Sequence, residues 1–196
     1  VDTLRFSRSR LPVGSLVRRG DLIRLALMAS ENRAASALAR TYPSGIRAFV
    51  AEMNRTAARL GLTQTRFADA TGLNGGNVST VLDLARLVNA AWRFDIIREY
   101  STTPSIALTL PDTGRTIAFR NTNLLVRTGE WDIGLSKTGF IKEAGKCLVM
   151  QAKIDDEPVV IVLLDAPGSQ SRLGDAQRIK RWIETQHRAS AVRRAA

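Results

Sequence analysis

The chain has 196 residues, of which 44% are hydrophobic, and its mean hydropathy is −0.08, so we predict one soluble globular domain and exclude an intrinsically disordered protein. No stretch approaches the ~18 consecutive apolar residues that a membrane-spanning helix needs. The 29 Lys and Arg against 18 Asp and Glu leave a net charge of +11, but these basic residues are dispersed and match no recognition motif, so we do not expect nucleic acid as a partner.

The first predicted elements are helical. Residues 1–20 are typical of a loop or a short strand, and residues 21–30 then form a helix with Asp21 as its N-cap. Residues 31–42 continue in an Ala-rich, helical composition. The triplet Ser30-Glu31-Asn32 is therefore expected at a junction between two helical segments.

A third helix is predicted between Ser44, its N-cap, and Gly61, its stop. Its apolar residues recur every three or four positions, so we assign this stripe to the core and give it no role in ligand binding. The stripe consists of Ile46, Phe49, Val50, Met53, Ala57 and Leu60. A glycine-bearing loop over 63–79 follows, and a capping box from Thr80 to Asp83 begins the next helix.

The second half of the chain changes to strands. A short helix over 93–101 precedes a predicted hairpin over 105–121, which has turn residues at 111–114. Three further strands are predicted over 131–139, 145–154 and 157–166. Because the helices come first and the strands follow one another directly, the order favours an antiparallel sheet with helices packed on it.

A final helix over 171–186 closes the predicted α+β domain, which we place at residues 1–186. Ile179, Trp182 and Ile183 form the apolar seam of this helix. Residues 187–196 are basic and carry no apolar pattern, so we predict a disordered tail there.

Two short motifs are candidates for chemistry. Ser30-Glu31-Asn32 lies between helices, and Lys137-Thr138-Gly139 lies 107 residues later on a predicted strand. Each pattern is weak alone, because a turn serine, a capping asparagine and a surface lysine would explain it equally well. The single cysteine, Cys147, and the single histidine, His187, belong to no metal-ligand pattern. We predict a buried structural thiol, no metal and no cofactor.

In this order the two motifs resemble those of the penicillin-binding and serine β-lactamase superfamily, whose signature is S-x-x-K, S-x-N and K-T-G. Five segments are similar to the low-molecular-mass D-alanyl-D-alanine carboxypeptidases: LALMASENRAASALA, MNRTAARLGLTQTRFADATGLN, NVSTVLDLARL, FRNTNLLV and LSKTGFIKEAGKCLVM. The FRNTN segment resembles their endopeptidase branch. The resemblance covers about residues 4–186 and implies a β-lactamase/transpeptidase-like fold.

The resemblance implies a peptidoglycan substrate, either a stem peptide that ends in D-Ala-D-Ala or a cross-link. Lys137 would place a cation near the substrate carboxylate and assist proton movement around the nucleophile. Thr138 would donate a hydroxyl hydrogen bond to the same carboxylate. Gly139 has no side chain, so the strand backbone could lie against an extended substrate.

Three more residues receive roles from the same resemblance. The backbone N–H of Phe140 would be one oxyanion-hole donor, worth about 3–4 kcal/mol. Ser30 would relay a proton toward the leaving amine, and the Asn32 amide would hold a substrate carbonyl. The predicted catalytic residues are Ser30, Asn32 and Lys137, and the predicted substrate-binding residues are Thr138, Gly139 and Phe140.

The nucleophile motif S-x-x-K is absent from this sequence. No serine is followed by a lysine three positions later; Ser15 has Arg18 at that distance, but arginine stays protonated and cannot act as a base. The first residue is also valine and not methionine. We therefore expect an incomplete domain without its N-terminal strands and nucleophile helix, in which the strand over 157–166 exposes an apolar edge.

Several functions stay open. The first is a periplasmic serine-type D-Ala-D-Ala carboxypeptidase or endopeptidase, which would also bind β-lactams as a full-length enzyme and would be inactive as this chain alone. The second is a non-catalytic remnant that binds peptidoglycan. The third is a nucleic-acid-binding protein, a hypothesis that rests on the net charge alone. A β-lactamase would need a deacylating glutamate, and the loop over 63–79 offers only Asp69.

Overall fold

The fold joins a helical region to antiparallel strands, in agreement with the predicted α+β class. The computed structural model describes residues 9–195, except for the side chains of 191, 192, 194 and 195. Its helices are α1 Arg19–Met28, α2 Asn32–Arg40, α3 Gly45–Arg59, α4 Val81–Ala91, α5 Asp95–Ser101, α6 Leu124–Thr128 and α7 Ser169–Ala195; its strands are β1 Ser105–Thr109, β2 Thr116–Arg120, β3 Asp132–Ile141, β4 Gly145–Ile154 and β5 Glu157–Ala166. The predicted N-terminal loop and basic tail extend into residues 1–8 and 196, which lie outside the described residues.

The first core forms between α1 and the β1–β2 hairpin. Leu25 and Met28 of α1 are fully buried there together with apolar residues of both strands. The helix begins two residues earlier than predicted, with Arg18 and not Asp21 at the N-cap position. Asp21 lies instead in the first turn, where its negative charge interacts favourably with the helix dipole.

The apolar stripe of α3 is only partly covered by the described residues. Ala57 is buried, whereas Phe49, Val50, Met53 and Leu60 are half-buried and Ile46 is 37% exposed. Part of the stripe lines an apolar groove of about 260 Å³ together with Leu62, Phe67 and Leu87. The assignment of the whole stripe to the core is therefore wrong, because no described element packs along the full length of this face.

The predicted helix boundaries at α3 and α4 hold, but the capping interactions differ. Ser44 occupies the N-cap position of α3 with a left-handed φ of 66° and makes no side-chain capping bond. Gly61 follows α3 with a φ of 69°, as expected for a stop. The Thr80 hydroxyl accepts a bond from the Asp83 N–H, yet the buried Asp83 carboxylate accepts from Gln64 N at 2.8 Å and does not complete a capping box.

One helix, α6, was not predicted. Its N-cap is Asn123, whose side chain accepts a bond from Leu125 N, and Gly129 ends it with a φ of 69°. Both signals are present in the sequence. At five residues, however, α6 is too short to show an apolar periodicity.

The second core forms between the sheet and α7. The sheet has the order β3-β4-β5 with antiparallel neighbours. Alternate residues of β4, namely Leu148, Met150, Ala152 and Ile154, are buried against Leu173 and Ala176 of α7. Among the described residues β5 pairs with β4 alone, and Leu164 on this edge strand is 39% exposed.

The C-terminal helix departs from prediction in two respects. Ile179 and Ile183 pack on the sheet, but Trp182 is 64% exposed, so its assignment to the seam is wrong. The backbone is helical to Ala195, so the predicted end of this helix at residue 186 is wrong, and the helix continues over 187–195. That stretch contains no Gly or Pro and is rich in Ala and Arg, which favour helix. No helix within 9–195 is long and apolar enough to cross a membrane.

Gly134 sits at a register shift in β3, between Ile133 and Leu135, and the Trp92 ring occupies the space beside it. A Cβ atom at this position would lie 2.1 Å from a ring carbon of Trp92, so the ring would have to move. We expect Gly134→Ala to lower the free energy of unfolding by about 1–3 kcal/mol in urea denaturation.

The matched control for this prediction is Gly20→Ala in α1. A Cβ there would meet only the Tyr100 hydroxyl, at 3.9 Å, which is an ordinary contact. Because alanine favours helix over glycine, this variant should gain up to about 1 kcal/mol. Equal stability of the two variants would contradict the packing of Trp92 against Gly134.

Candidate active site

The S-x-N triplet forms a tight junction between α1 and α2. Ser30 has a left-handed φ of 50°, a conformation that costs a non-glycine residue about 1–3 kcal/mol. The buried Glu31 holds the turn: its N–H donates to Leu25 O at 3.2 Å, and its carboxylate accepts from Arg33 N and Arg10 N, each at 3.2 Å. The predicted junction is confirmed, and the hydrogen bonds of Glu31 stabilise it.

The K-T-G triplet lies on β3, facing this junction. The Lys137 ammonium contacts the Ser30 hydroxyl across 107 residues of sequence and also donates to Thr138 O at 2.7 Å. In β3, Lys137 pairs with Val149 and Gly139 with Cys147. A Cβ at Gly139 would have an ordinary 3.7 Å contact with Cys147, so the described neighbours do not by themselves require glycine.

A buried amide network around α6 places β3 against the helices. The Asn121 side chain donates to Ser101 O at 2.8 Å and to Thr103 O at 3.0 Å, both at the end of α5. The Asn123 side chain donates to Ser136 Oγ at 2.9 Å, directly before Lys137. Asn121 and Asn123 are 3% and 1% exposed, so they fix the position of the strand from within the core.

Thr122 lies between these two asparagines and is itself exposed. Its N–H donates to Met28 O at 2.9 Å, which anchors it to the last residue of α1. Its hydroxyl accepts a 2.6 Å bond from the hydroxyl of Thr138. Sequence reasoning used this segment only as a resemblance and missed that Thr122 connects the K-T-G strand to the helix preceding Ser30.

All six predicted site residues line one cleft of about 790 Å³, between the helical region, the loop over 67–77 and the β3 edge. These are Ser30, Asn32, Lys137, Thr138, Gly139 and Phe140. The Phe140 ring is 57% exposed, and the Lys146 ammonium lies 3.4 Å from its centroid. The structure thus brings together residues from two distant parts of the chain.

Arg172, at the start of α7, is a cleft residue that sequence reasoning missed. It is 6% exposed and donates to Cys147 O at 2.9 Å, while its Nε has no partner among the described residues. Burial lowers the pKa of the Arg172 guanidinium. The available signal was the position of this arginine, directly before Leu173, which packs on the sheet.

The cleft has a positive electrostatic character. Burial lowers the pKa of Lys137 to about 8, with a second contribution from the nearby positive charge of Arg172. Lys137, Arg172 and Lys146 line the cleft, whereas Asp69 is the acidic residue among its lining side chains. An anionic group of a ligand is therefore the natural partner for these cations.

The Asp69 carboxylate accepts hydrogen bonds from residues of its own loop. It accepts bonds from the Thr71 and Asn77 side chains and from backbone N–H groups of the same loop, including Thr71 N at 2.9 Å and Gly72 N at 3.1 Å. Burial raises the pKa of Asp69, but these hydrogen bonds outweigh it and hold the pKa below the ordinary value. Such a carboxylate is a poor deacylating base, which counts against the β-lactamase alternative.

Cys147 and His187 have separate environments. Cys147 is half-buried rather than buried, and its thiol lies 3.1 Å from Ala144 O, near the start of β4. His187 is exposed and lies 3.2 Å from Asp155, beyond the other end of the same strand. The prediction of a buried thiol is wrong, because Cys147 pairs with Gly139, which has no side chain to cover it.

A known protein family matches most of this chain. The sequence profile of a peptidase family described as D-alanyl-D-alanine carboxypeptidase matches residues 3–168. The chain belongs to this family. The match includes both the S-x-N and the K-T-G triplets.

Named relatives support the same family. The chain is 48% identical over 177 residues to a D-alanyl-D-alanine endopeptidase of Pseudomonas aeruginosa and 46% identical over 177 residues to one of Escherichia coli. Each match covers 90% of this chain and 57% of the relative, so the chain spans little more than half the length of these peptidases.

Solved structures support the fold. The DD-transpeptidase of Streptomyces K15 superposes with a TM-score of 0.81 at 29% identity, covering 90% of this chain and 71% of that one. Penicillin-binding protein D2 of Listeria monocytogenes, in its cefotaxime-bound form, gives 0.72 at 28% identity and covers 88% and 72%. The predicted transpeptidase-like fold is confirmed.

In this family member we expect Lys137 to titrate with a pKa of about 8, measured by NMR of its side chain. The unfolded chain keeps the ordinary value of 10.5 and so binds more protons between the two values. The contribution of Lys137 therefore makes the free energy of unfolding rise from about pH 8 to pH 10.5, and Lys137→Met should abolish this rise.

Substitution of Arg172 separates the two causes of this shift. Arg172→Met removes a positive charge near Lys137 and should raise the pKa of Lys137, while the contribution of burial remains. Arg181→Met, on the exposed side of α7, is the matched control and should leave the titration unchanged. A Lys137 pKa near 10.5 in the unmodified chain would contradict the burial of its ammonium.

Proposed function

We propose that this chain forms the S-x-N and K-T-G side of the active site of a serine-type D-Ala-D-Ala peptidase that acts on peptidoglycan peptides. The observation that carries the proposal is the contact of the Lys137 ammonium with Ser30 inside a cleft lined by both motifs. Family membership supports the reaction class, and the relatives named as endopeptidases favour cross-links as substrates. The proposed compartment is the periplasm, where peptidoglycan lies.

The positive side of the cleft receives the C-terminal carboxylate of the substrate in this proposal. The Thr138 hydroxyl donates a hydrogen bond to it, and Lys137 and Arg172 supply positive charge. A guanidinium is well suited to this task because it keeps its proton even when buried. The Nε of Arg172 is buried and has no hydrogen-bond partner among the described residues, which supports an anionic ligand for this guanidinium.

The reaction proceeds through an acyl-enzyme. The serine oxygen bonds to the carbonyl carbon of the D-Ala that precedes the scissile bond, and the serine hydroxyl gives its proton to the lysine of its own S-x-x-K segment. The carbonyl oxygen takes up negative charge and accepts a hydrogen bond from the Phe140 N–H. The C–N bond then breaks, and the leaving amine receives a proton relayed by Ser30. Lys137, with its pKa of about 8, helps move this proton, and the Asn32 amide orients the acyl part of the substrate. Water finally hydrolyses the ester.

The nucleophilic serine is proposed to belong to an S-x-x-K segment outside these 196 residues, because no serine in this sequence has a lysine three positions later. The groove along α3 and the edge of β5 are apolar surfaces that such a segment would cover. A form of the protein that carries it would also react with β-lactams, whose acylation uses the same serine.

A second candidate function is non-catalytic binding of peptidoglycan. The observation in its favour is that the six proposed site residues line one cleft in a sequence without the nucleophile motif. The two functions differ in one respect: the first requires a covalent intermediate and the second does not.

Labelling with a fluorescent penicillin tests the proposal. The 196-residue chain should form no covalent adduct, and a longer form with an S-x-x-K segment should be labelled and should hydrolyse D-Ala-D-Ala peptides. In that form Lys137→Ala should slow acylation by about 100-fold or more, because proton movement around the nucleophile is lost.

Lys153→Ala is the control for the same assay, since Lys153 is an exposed residue near Asp156 and outside the cleft. It should be acylated at the unmodified rate. Stoichiometric labelling of the 196-residue chain would contradict the assignment of the nucleophile to another segment. Retention on peptidoglycan by a longer form that is never acylated would favour the binding function.

A further inference from the structure

The hydroxyls of Thr122 and Thr138 form a short chain of hydrogen bonds at the cleft. Thr138 Oγ1 donates to Thr122 Oγ1 at 2.6 Å, and Thr122 Oγ1 donates in turn to Met28 O over a long 3.5 Å. Both threonines line the cleft. The chain of bonds therefore starts at the K-T-G strand and ends at the helix that precedes Ser30.

As the bonds stand, the Thr138 proton points away from any ligand. Each hydroxyl carries one proton, so Thr138 cannot donate to Thr122 and to an anion at the same time. To bind a carboxylate, the Thr138 hydroxyl must turn its proton into the cleft. Its oxygen is then free to accept a bond from Thr122.

The Thr122 hydroxyl can make this change at low cost. Its bond to Met28 O is long and weak, and Met28 O keeps the 2.9 Å bond from the Thr122 N–H. The Thr122 backbone is held in place by the buried side chains of Asn121 and Asn123. Both protons can therefore rotate while the two oxygen atoms stay 2.6 Å apart.

We propose that Thr122 is a positioning residue that holds and polarises the Thr138 hydroxyl for an anionic group of the substrate. In the free protein the bonds run from Thr138 to Thr122 to Met28. With a carboxylate bound they run from Thr122 to Thr138 to the carboxylate, and each bond strengthens the next. The inference rests on the proposed function, in which Thr138 receives the substrate carboxylate.

The test measures binding of acetyl-D-Ala-D-Ala and of its C-terminal amide to the 196-residue chain, by NMR titration of the backbone N–H signals of 137–140. Thr122→Val removes the hydroxyl, keeps the side-chain shape and retains the N–H bond to Met28. We expect it to weaken binding of the carboxylate form by about three- to tenfold, the range of one neutral hydrogen bond. Binding of the amide should change much less.

Two further variants separate this role from a merely structural one. Thr122→Ser keeps the hydroxyl and should restore the preference for the carboxylate form over the amide. In the absence of the Thr138 hydroxyl, Thr122 has nothing to polarise. The Thr122→Val change should therefore have no further effect on carboxylate binding in a Thr138→Val background.

The outcomes distinguish this inference from the proposed function. We call the proposed polarisation of Thr138 by Thr122 the relay. If Thr138→Val weakens carboxylate binding but Thr122→Val does not, or if the two effects simply add, the relay is overturned and the proposed function stands. If Thr138→Val has no effect, or the unmodified chain binds neither peptide, the proposed carboxylate site is overturned and the relay with it. A loss in Thr122→Val that is equal for carboxylate and amide would indicate a structural role and also overturn the relay.

Discussion

The relative position of the helical region and the sheet depends on the three residues Asn121 to Asn123, which connect the β1–β2 hairpin to α6 and the sheet. The two asparagine side chains are buried and hydrogen-bonded on opposite sides, one to the end of α5 and the other to Ser136 of β3. Between them, the Thr122 N–H bonds to the end of α1. Buried amides are costly to leave unpaired, so the helical region and the sheet are held in one relative position.

That position creates the electrostatics of the cleft. It brings the Lys137 ammonium against Ser30 and near Arg172, in a place where solvation is reduced and the pKa of Lys137 falls to about 8. The acidic residue in the cleft wall, Asp69, accepts hydrogen bonds from side chains and backbone N–H groups of its own loop and, among the described residues, pairs with no cleft cation. The cations are thus left to an anionic ligand, and a group that exchanges protons near neutral pH lies beside the S-x-N turn.

Two apolar surfaces of this chain are left uncovered by the described residues. The apolar groove along α3 borders the cleft through Met53 and Phe67, and β5 forms an apolar edge of the sheet. Apolar surfaces of this kind are normally covered in a stable protein. The chain spans 57% of the length of the two endopeptidases compared above. In the proposed function, a segment outside this chain carries the nucleophile and covers both surfaces.

The sequence by itself determined the α+β order, most helix boundaries and the two motifs, because apolar periodicity, caps and glycine stops act over a few residues. Only the tertiary structure decided which of these residues meet. The burial of Arg172, the link from Thr122 to Thr138 and the exposure of Trp182 depend on contacts between distant segments. No local pattern encodes such contacts, since they arise only when buried polar groups find partners and the sheet and helices pack around them.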